Sequence, residues 1–329
     1  MLTVRVDAER LVRSRFALSR LAELSCALEV LTHPDRAPFA RAWVAETRPR
    51  LDVGAVALVH ALVEHDSPYV PDFLVPLPPG YEPDLDTELA AVAAAPADTV
   101  LRQLARTFPA GPPPAVTAVL DRGGARAVAE VAAAQLRHCW DVTLADTWPA
   151  LRRVLDEDVR HRATQAARTG FDGLLADLHP MLGWDGARLT KPAAVDVTLD
   201  PAPGVVLTPS VFLPWPAVWA GTPADVLVGY PARGRGSVWA GPARVLGPPV
   251  LGARRVALLA DLGTPRSTAE LASRHRLSPA TVSYHLRRLF TDGLVTRRQD
   301  GHSVRYAATD GAGELLKAMG QTSVRMRRS

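Results

Sequence analysis

The 329-residue chain is 47% hydrophobic and 22% charged, with a net charge of +4, so it can bury a core and wholesale disorder is excluded. Its length predicts two domains. Two cysteines are too few for a disulfide framework, and no signal-peptide pattern opens the chain. The apolar stretches are shorter than the ~18 residues of a membrane span. We therefore expect a cytoplasmic protein that does not bind membranes.

The elements predicted for residues 1–170 are mostly helical. An alternating pattern predicts a strand at 2–6, and a periodic apolar pattern predicts one long helix at 8–31 that ends before a proline. A proline-rich passage at 67–83 and a loop at 111–114 separate the later helices. Those helices are predicted at 53–64, 85–95, 97–107, 123–145 and 147–168.

After Gly170 the pattern changes to β-branched or aromatic runs bounded by proline and glycine, which predict short strands. The strands are predicted at 195–199, 205–207, 226–228 and 237–239. The sequence therefore predicts a mainly α protein with small β content, in which a helical body, residues 1–245, contains a small sheet. Residues 246–329 are predicted to form a second, smaller domain.

The smaller domain has the signals of three consecutive helices. The first is predicted at 254–262. Ser267 and Glu270 have the spacing of a capping box, which predicts a short helix at 268–275. Ser278 is then a favourable N-cap for the third helix. Three short helices joined by tight connections predict a helix-turn-helix.

The third helix has the pattern of a DNA-recognition helix. Val282, Leu286 and Leu289 recur at i, i+4 and i+7 and form one apolar stripe. Tyr284 and Arg287 point away from that stripe. Hydroxyls, an aromatic ring and guanidinium groups on the open side of a helix suit the major groove of DNA.

Two strands predicted at 294–299 and 303–308 complete the domain, because Asp300 and Gly301 between them favour a tight hairpin turn. A basic hairpin after a recognition helix predicts a wing. The candidate DNA contacts are Ser278, Thr281, Ser283, Tyr284, Arg287 and Arg288 of the helix and Arg297, His302 and Arg305 of the wing. We expect the helix residues to reach base edges and backbone and the wing residues to meet phosphate or the minor groove; a solvated surface position is the alternative for each.

Charge is distributed unevenly along the chain. Residues 251–329 contain 14 Lys and Arg against 6 Asp and Glu, a net of +8, and the remainder contains the other 24 basic and 28 acidic residues, a net of −4. A basic module gains affinity for DNA through counterion release. The alternative is that the basic surface only keeps the domain in solution. Unspecific attraction is expected from Arg254, Arg255, Arg325, Arg327 and Arg328.

Thr281 to Leu286 have the sequence T-V-S-Y-H-L, and Asp292 to Val295 have the sequence D-G-L-V. Over about 80 residues, these motifs resemble the winged helix-turn-helix domain of ArsR-type regulators. Motifs at 71–74, 207–212 and 230–234 make the layout of the whole chain similar to actinobacterial ArsR-like regulators with a long N-terminal domain. The resemblance implies a dimeric bacterial transcription regulator that binds double-stranded DNA.

Metal sensing does not follow from the resemblance. ArsR-type metal sensors place a cysteine pair on the helix before the recognition helix, or histidine and acidic ligands on the last helix. Here residues 268–275 contain no cysteine and residues 309–320 no histidine. His60, Glu64 and His65 have the wrong spacing for a metalloprotease motif, and the chain has no nucleophile elbow or Walker loop. We therefore expect no metal, no cofactor and no enzyme activity.

Aromatic residues of the body are candidates for an effector site, because all seven tryptophans lie there. Phe212, Trp215 and Trp219 cluster in a proline-punctuated segment and predict an apolar pocket for a small organic effector. Arg233, in a glycine-rich turn, is a candidate for holding an anionic group. The alternatives are that the rings complete the core and that Arg233 lies at a solvated hairpin tip.

Taken together, these patterns predict a sequence-specific DNA-binding transcription regulator, a repressor, that reads an inverted-repeat operator as a homodimer. A small-molecule effector bound by the body is the expected means of control. Two alternatives belong to other classes: an enzyme domain fused to a DNA-binding domain, and a winged helix that contacts a protein rather than DNA.

Overall fold

A computed structural model describes residues 1–65, 69–193, 196–202, 204–222, 224–235, 238, 252–275, 277–291, 294–300, 303–309 and 312. Backbone contacts divide the chain into two compact units, Met1–Trp239 and Ala240–Ser329. The predicted fold class is confirmed, because the chain is mainly α with small β-sheets.

Helices make up most of the first unit. Among its described residues, they are α1 (Ala8–Arg13), α2 (Arg20–Thr32), α3 (Arg41–Thr47), α4 (Ala57–Val63), α5 (Leu85–Ala93), α6 (Ala97–Thr107), α7 (Pro114–Thr143) and α8 (Trp148–Ala176). No helix in the described part of the chain is long and apolar enough to cross a membrane.

The single helix predicted at 8–31 is wrong. The chain is extended at Ser14, and Arg15–Phe16 form a short strand that pairs with a later strand. A new helix then begins, because the Ser19 hydroxyl accepts a hydrogen bond from the Ala22 N–H at 2.9 Å. The sequence pattern did not reveal this break, because a two-residue strand is too short to interrupt the helical spacing of the apolar residues.

Glycines break both long helices. Gly124 has φ 69° inside α7, and Gly170 has φ 75° inside α8. Only glycine adopts this left-handed region readily, so each glycine permits a kink between two helical segments. The helix predicted at 123–145 therefore corresponds to the segment of α7 after its kink, and the helix predicted at 147–168 to the segment of α8 before its kink. The shorter segment on the other side of each kink is also helical.

Two small sheets are present among the described residues of the first unit. One has the strand order β3-β4-β1-β5, and the other has the order β2-β6-β8-β7, with β2, β6 and β8 parallel. The strands are β1 (Leu2–Arg5), β2 (Arg15–Phe16), β3 (Gly183–Trp184), β4 (Arg188–Lys191), β5 (Val197–Leu199), β6 (Val206–Ser210), β7 (Ala217–Ala220) and β8 (Val226–Pro231). Strands predicted at 2–6, 205–207 and 226–228 are confirmed; β2, β3, β4 and β7 were not predicted. The strand predicted at 195–199 is observed from Val197, while residues 195, 237 and 239 lie outside the described residues.

The described residues of the first unit form two hydrophobic cores. The larger core packs α2, α4 and α7 together, with Leu24, Leu62 and Val128 at 0% exposure. The smaller core joins residues of both sheets, such as Val4 and Tyr230, to the C-terminal part of α8. Burial of this apolar surface holds the short strands in place, since strands of this length are marginal alone.

In the described part of the second unit, three helices pack with a small sheet. Its elements are α9 (Gly252–Asp261), β9 (Arg266–Ser267), α10 (Thr268–His275), α11 (Pro279–Thr291), β10 (Val295–Asp300) and β11 (Ser303–Ala308), and the sheet order is β10-β11-β9. Leu259, Leu271 and Leu286, one from each helix, meet in its core at 0% exposure. This is the winged helix-turn-helix architecture that the sequence predicts.

Candidate nucleic-acid interface

The predicted capping box of α10 is confirmed. The Ser267 N–H donates to a carboxylate oxygen of Glu270 at 2.6 Å, and the Glu270 N–H donates to the Ser267 hydroxyl at 3.2 Å. The carboxylate of Glu270 is also favourable at the positive end of the helix dipole. These bonds fix the N-terminus of the helix that precedes the candidate recognition helix.

The predicted N-cap of α11 is confirmed as well. The Ser278 hydroxyl accepts a hydrogen bond from the Thr281 N–H at 3.2 Å and lies 2.8 Å from the Thr281 hydroxyl. Both hydroxyls therefore hold the helix start in place, and both lie at its N-terminal end, where backbone N–H groups attract anions such as phosphate.

Helix α11 buries one face and exposes the other. Val282, Leu286 and Leu289 are each 0% exposed. On the opposite side, the Tyr284 side chain is 68% exposed, and Arg287 is exposed too. Because the apolar stripe is covered within the second unit, the hydroxyphenyl and guanidinium groups are held outward on a rigid element. The flanking candidates Thr281 and Ser283 are half-buried, and Arg288 is exposed.

The wing has one face toward the core and one face away from it. Val295 is buried and Tyr306 packs against the core, so these two residues define the inner face of the wing. The residues opposite them on the partner strand, Ala308 and Arg297, are on the same face. Thr296 and Arg298 lie on the outer face, because successive strand residues alternate. Arg298 is directly opposite Arg305 in this register.

The three predicted wing contacts have different surroundings. The guanidinium carbon of Arg297 lies 5.3 Å from the centroid of the Phe290 ring, a cation–π contact. Arg305 donates to the Pro265 carbonyl at 3.4 Å and lies 4.0 Å from a carboxylate oxygen of Glu270. His302 lies outside the described residues, and its predicted role is untested.

Arg298 is not among the predicted DNA contacts. It is exposed on the outer wing face, next to Arg305. Strand alternation would have identified Arg298. Residues two apart on a strand share a face, so Arg298 lies on the same face as Thr296. Of the arginines expected to add unspecific attraction, Arg255 is half-buried; the side chain of Arg254 and residues 325, 327 and 328 are not described.

Asp261 joins the first two helices of the second unit. It accepts two hydrogen bonds from Arg274, at 2.6 and 3.0 Å, and lies 3.2 Å from the His275 ring and 3.4 Å from Arg266. Partial burial acts to raise the pKa of Asp261, but the hydrogen bond from Arg274 and the charges of Arg266 and Arg274 outweigh it and lower the pKa. The ionised carboxylate therefore stabilises the orientation of α10 against α9.

The effector-site candidates do not share one surface. Phe212 is 0% exposed and packs 4.6 Å from the ring of Trp43, and Trp219 is 8% exposed in the same core. Trp215 is 40% exposed, and the Arg233 N–H donates to Asp158 at 3.0 Å. The burial of Phe212 and Trp219 agrees with the packing alternative. An effector role for these four residues stays a prediction.

Histidine and acidic side chains do not assemble a metal centre in the described part of the chain. The Nε2 atom of His60 lies 2.5 Å from a carboxylate oxygen of Glu64, one helical turn later. His65 lies beyond the end of α4, and its ring contacts the Leu62 carbonyl. The two imidazoles thus have separate partners, as their spacing of five residues requires.

Residues 265–322 match the family model described as the replication protein C N-terminal domain. The matched stretch begins just before β9 and includes α10, α11 and both wing strands. It covers a small part of the chain, so it bears on the second unit alone. No curated protein and no solved structure matches this chain.

Proposed function

We propose that the second unit binds double-stranded DNA through α11 and the wing. The observation that carries this proposal is the outward presentation of Tyr284 and Arg287 on a helix whose opposite face is fully buried. Such a helix fits the major groove, where arginine reads guanine edges. The net charge of +8 over residues 251–329 and the similarity to a replication protein C domain also support it.

In the proposed mechanism, two copies of the chain place their α11 helices in successive major grooves. Half-sites about one helical turn apart would then form an inverted repeat. Ser283, Tyr284 and Arg287 contact base edges, Thr281 and Arg288 contact backbone, and the wing contacts phosphate or the minor groove. The residues predicted as the body, 1–245, dimerise, bind an effector, or do both.

Within DNA binding, we propose transcription regulation of the ArsR-like kind, as a repressor, on the basis of the T-V-S-Y-H-L and D-G-L-V motifs. A second candidate function is a role in replication, which the match to the replication protein C model favours. Both functions use the same interface, so the location of the bound sites distinguishes them.

The test is site selection by the purified full-length protein from a random duplex library, followed by mapping of the selected sequence on the source genome. We expect an inverted repeat whose affinity falls steeply with salt. Sites upstream of genes support transcription regulation, and repeated sites at a replication origin support the second candidate. No enrichment, together with salt-independent weak binding, would contradict DNA binding and favour a winged helix that contacts protein.

We also propose that the chain has no enzyme activity. Its sequence lacks the nucleophile elbow and phosphate-loop motifs by which several large enzyme classes are identified. An enzyme domain fused to the DNA-binding unit is the competing view. It predicts turnover of a small molecule by residues 1–239 with or without DNA.

A further inference from the structure

The first unit contains a surface pocket of about 310 Å³ that the sequence analysis did not identify. It lies between α6, the 3₁₀ turn Asp72–Leu74, strand β5 and the residues that follow β7. Ligand pockets span roughly 300–1,000 Å³, so this volume admits a small metabolite. Charged and polar side chains form one wall, and aliphatic side chains form the other.

Helix α6 contributes two arginines to the polar wall. Arg102 and Arg106 are one turn apart and therefore share a face of the helix. Arg102 is paired with Asp98 and donates to the Thr99 hydroxyl at 3.0 Å. The guanidinium carbon of Arg106 lies 3.8 Å from the centroid of the Tyr69 ring. Stacking and ion pairing orient the two guanidinium groups before any ligand arrives.

Buried polar groups form the floor of the pocket. Asp72 is 6% exposed and accepts a hydrogen bond from the Tyr69 hydroxyl at 2.8 Å. Gln103 is 7% exposed; it accepts from the Phe73 N–H at 2.8 Å and donates to the Gly221 carbonyl at 3.4 Å. Polar groups are buried at a cost unless they are hydrogen-bonded. This network therefore makes the floor rigid and ties α6 to the end of β7.

The lining of the pocket carries two guanidinium groups and one carboxylate, that of Asp72, so its own groups have an excess of positive charge. Asp98 pairs with Arg102 from outside the lining, and an incoming carboxylate has to compete with Asp98 for that guanidinium group. Guanidinium groups bind carboxylates with two parallel hydrogen bonds. The aliphatic part of the lining comes from Val197, Leu199 and Ala220, which also pack in or against the smaller core.

We propose that this pocket binds a small organic carboxylate, with the carboxylate on Arg102 and Arg106 and the hydrocarbon part against Leu199 and Ala220. The site is distinct from the predicted effector cluster at Phe212, Trp215 and Trp219. Binding there is a property of the first unit and does not depend on the proposed DNA binding.

The test is isothermal titration of the full-length protein with benzoate, acetate and succinate. Benzamide has the shape of benzoate without its charge, and inorganic phosphate is an anion without a hydrocarbon part. We expect benzoate to bind and benzamide not to bind. Arg102→Gln and Arg106→Gln should each weaken binding about tenfold, which corresponds to about 1.4 kcal/mol.

The matched control is Arg126→Gln. Arg126 is also an exposed helical arginine paired with an acidic residue one turn away, Glu130, but it lies on α7 outside this pocket. It should leave binding unchanged. All three variants remove exposed side chains, and circular dichroism checks that they fold. Absence of binding by every carboxylate, binding of phosphate alone, or equal affinity of all variants would overturn the proposal.

Discussion

Arg298 and Arg305 lie directly opposite each other on the two strands of the wing. Like charges at directly opposed positions destabilise a sheet. Among the described residues, Glu270 offsets this repulsion at Arg305 alone, since it lies 4.0 Å from that guanidinium group. A phosphate between the two guanidinium groups would remove the repulsion. The proposed DNA interface therefore predicts that this pair contacts a phosphate.

Removal of Arg298 should consequently have opposite effects on stability and on DNA binding. We expect Arg298→Ala to raise the free energy of unfolding by up to about 1 kcal/mol. The same change should weaken binding to all duplexes and reduce the slope of log K against log salt by about one. Chemical denaturation and fluorescence anisotropy at several salt concentrations measure the two effects.

Arg305→Ala is the natural comparison for that experiment, since Arg305 also contacts Glu270 and the Pro265 carbonyl. It should flatten the salt slope equally but give no gain in stability. A salt slope identical to that of the unmodified protein in both variants would remove the outer wing face from the DNA interface.

Arg287→Ala tests the recognition helix. Arg287 is exposed on the face of α11 opposite the buried stripe, so its loss should leave the fold intact. We expect a loss of about 1–3 kcal/mol on the selected site and a relaxed preference at one base position. The measurement is competition binding against single-base variants of that site. Equal losses on selected and random DNA would show that Arg287 contacts only the backbone.

Asp261→Asn tests the contact between α9 and α10. We expect a loss of about 1–3 kcal/mol, as is typical when hydrogen bonds to a charged group are removed. Asp121→Asn, on an exposed helical carboxylate, is the control. No tryptophan lies beyond residue 239, so hydrogen exchange of the amides in α9 and α10 is a suitable measurement. Unchanged exchange would mean that the ion pairs are solvated surface contacts.

The stabilisation from Asp261 should depend on pH. Its pKa is lowered in the folded protein from the usual value of 3.8. A carboxylate of this kind contributes its full stability above the unfolded pKa and loses it as the pH falls through the folded pKa. The difference between the unmodified protein and Asp261→Asn should therefore be constant near neutral pH and shrink below pH 3.8. A difference that persisted in acid would show that its origin is not the carboxylate charge.

Gly229→Ala tests the packing at strand β8 in the sheet β2-β6-β8-β7. A β-carbon at this position would lie 2.6 Å from the Trp219 ring and 2.8 Å from the Leu213 side chain. Overpacking of this kind costs about 1–3 kcal/mol. Gly80→Ala, where an added β-carbon meets nothing within 4 Å, should have little effect. Urea unfolding followed by tryptophan fluorescence reports both variants, and equal midpoints would contradict the close contact.

Local signals were sufficient to predict the second unit. The capping box at Ser267 and Glu270, the cap at Ser278 and the stripe from Val282 to Leu289 each depend on residues within about two helical turns. Side chains this close in sequence are brought together by the helix itself. For the same reason, the exposure of Tyr284 and Arg287 followed from their positions relative to the stripe.

The first unit was predictable only as a mainly helical body with a small sheet, because its decisive contacts join distant parts of the chain. Arg15 pairs with Val206, and the pocket brings Asp72, Gln103 and Gly221 together. Sequence periodicity determines which residues are helical and which face is apolar. Tertiary structure alone decided that Phe212 lies in the core rather than at the surface, and it alone decided where the buried polar groups meet. Both outcomes depend on packing between segments that are far apart in the sequence, and no local sequence pattern indicates which segments pack together.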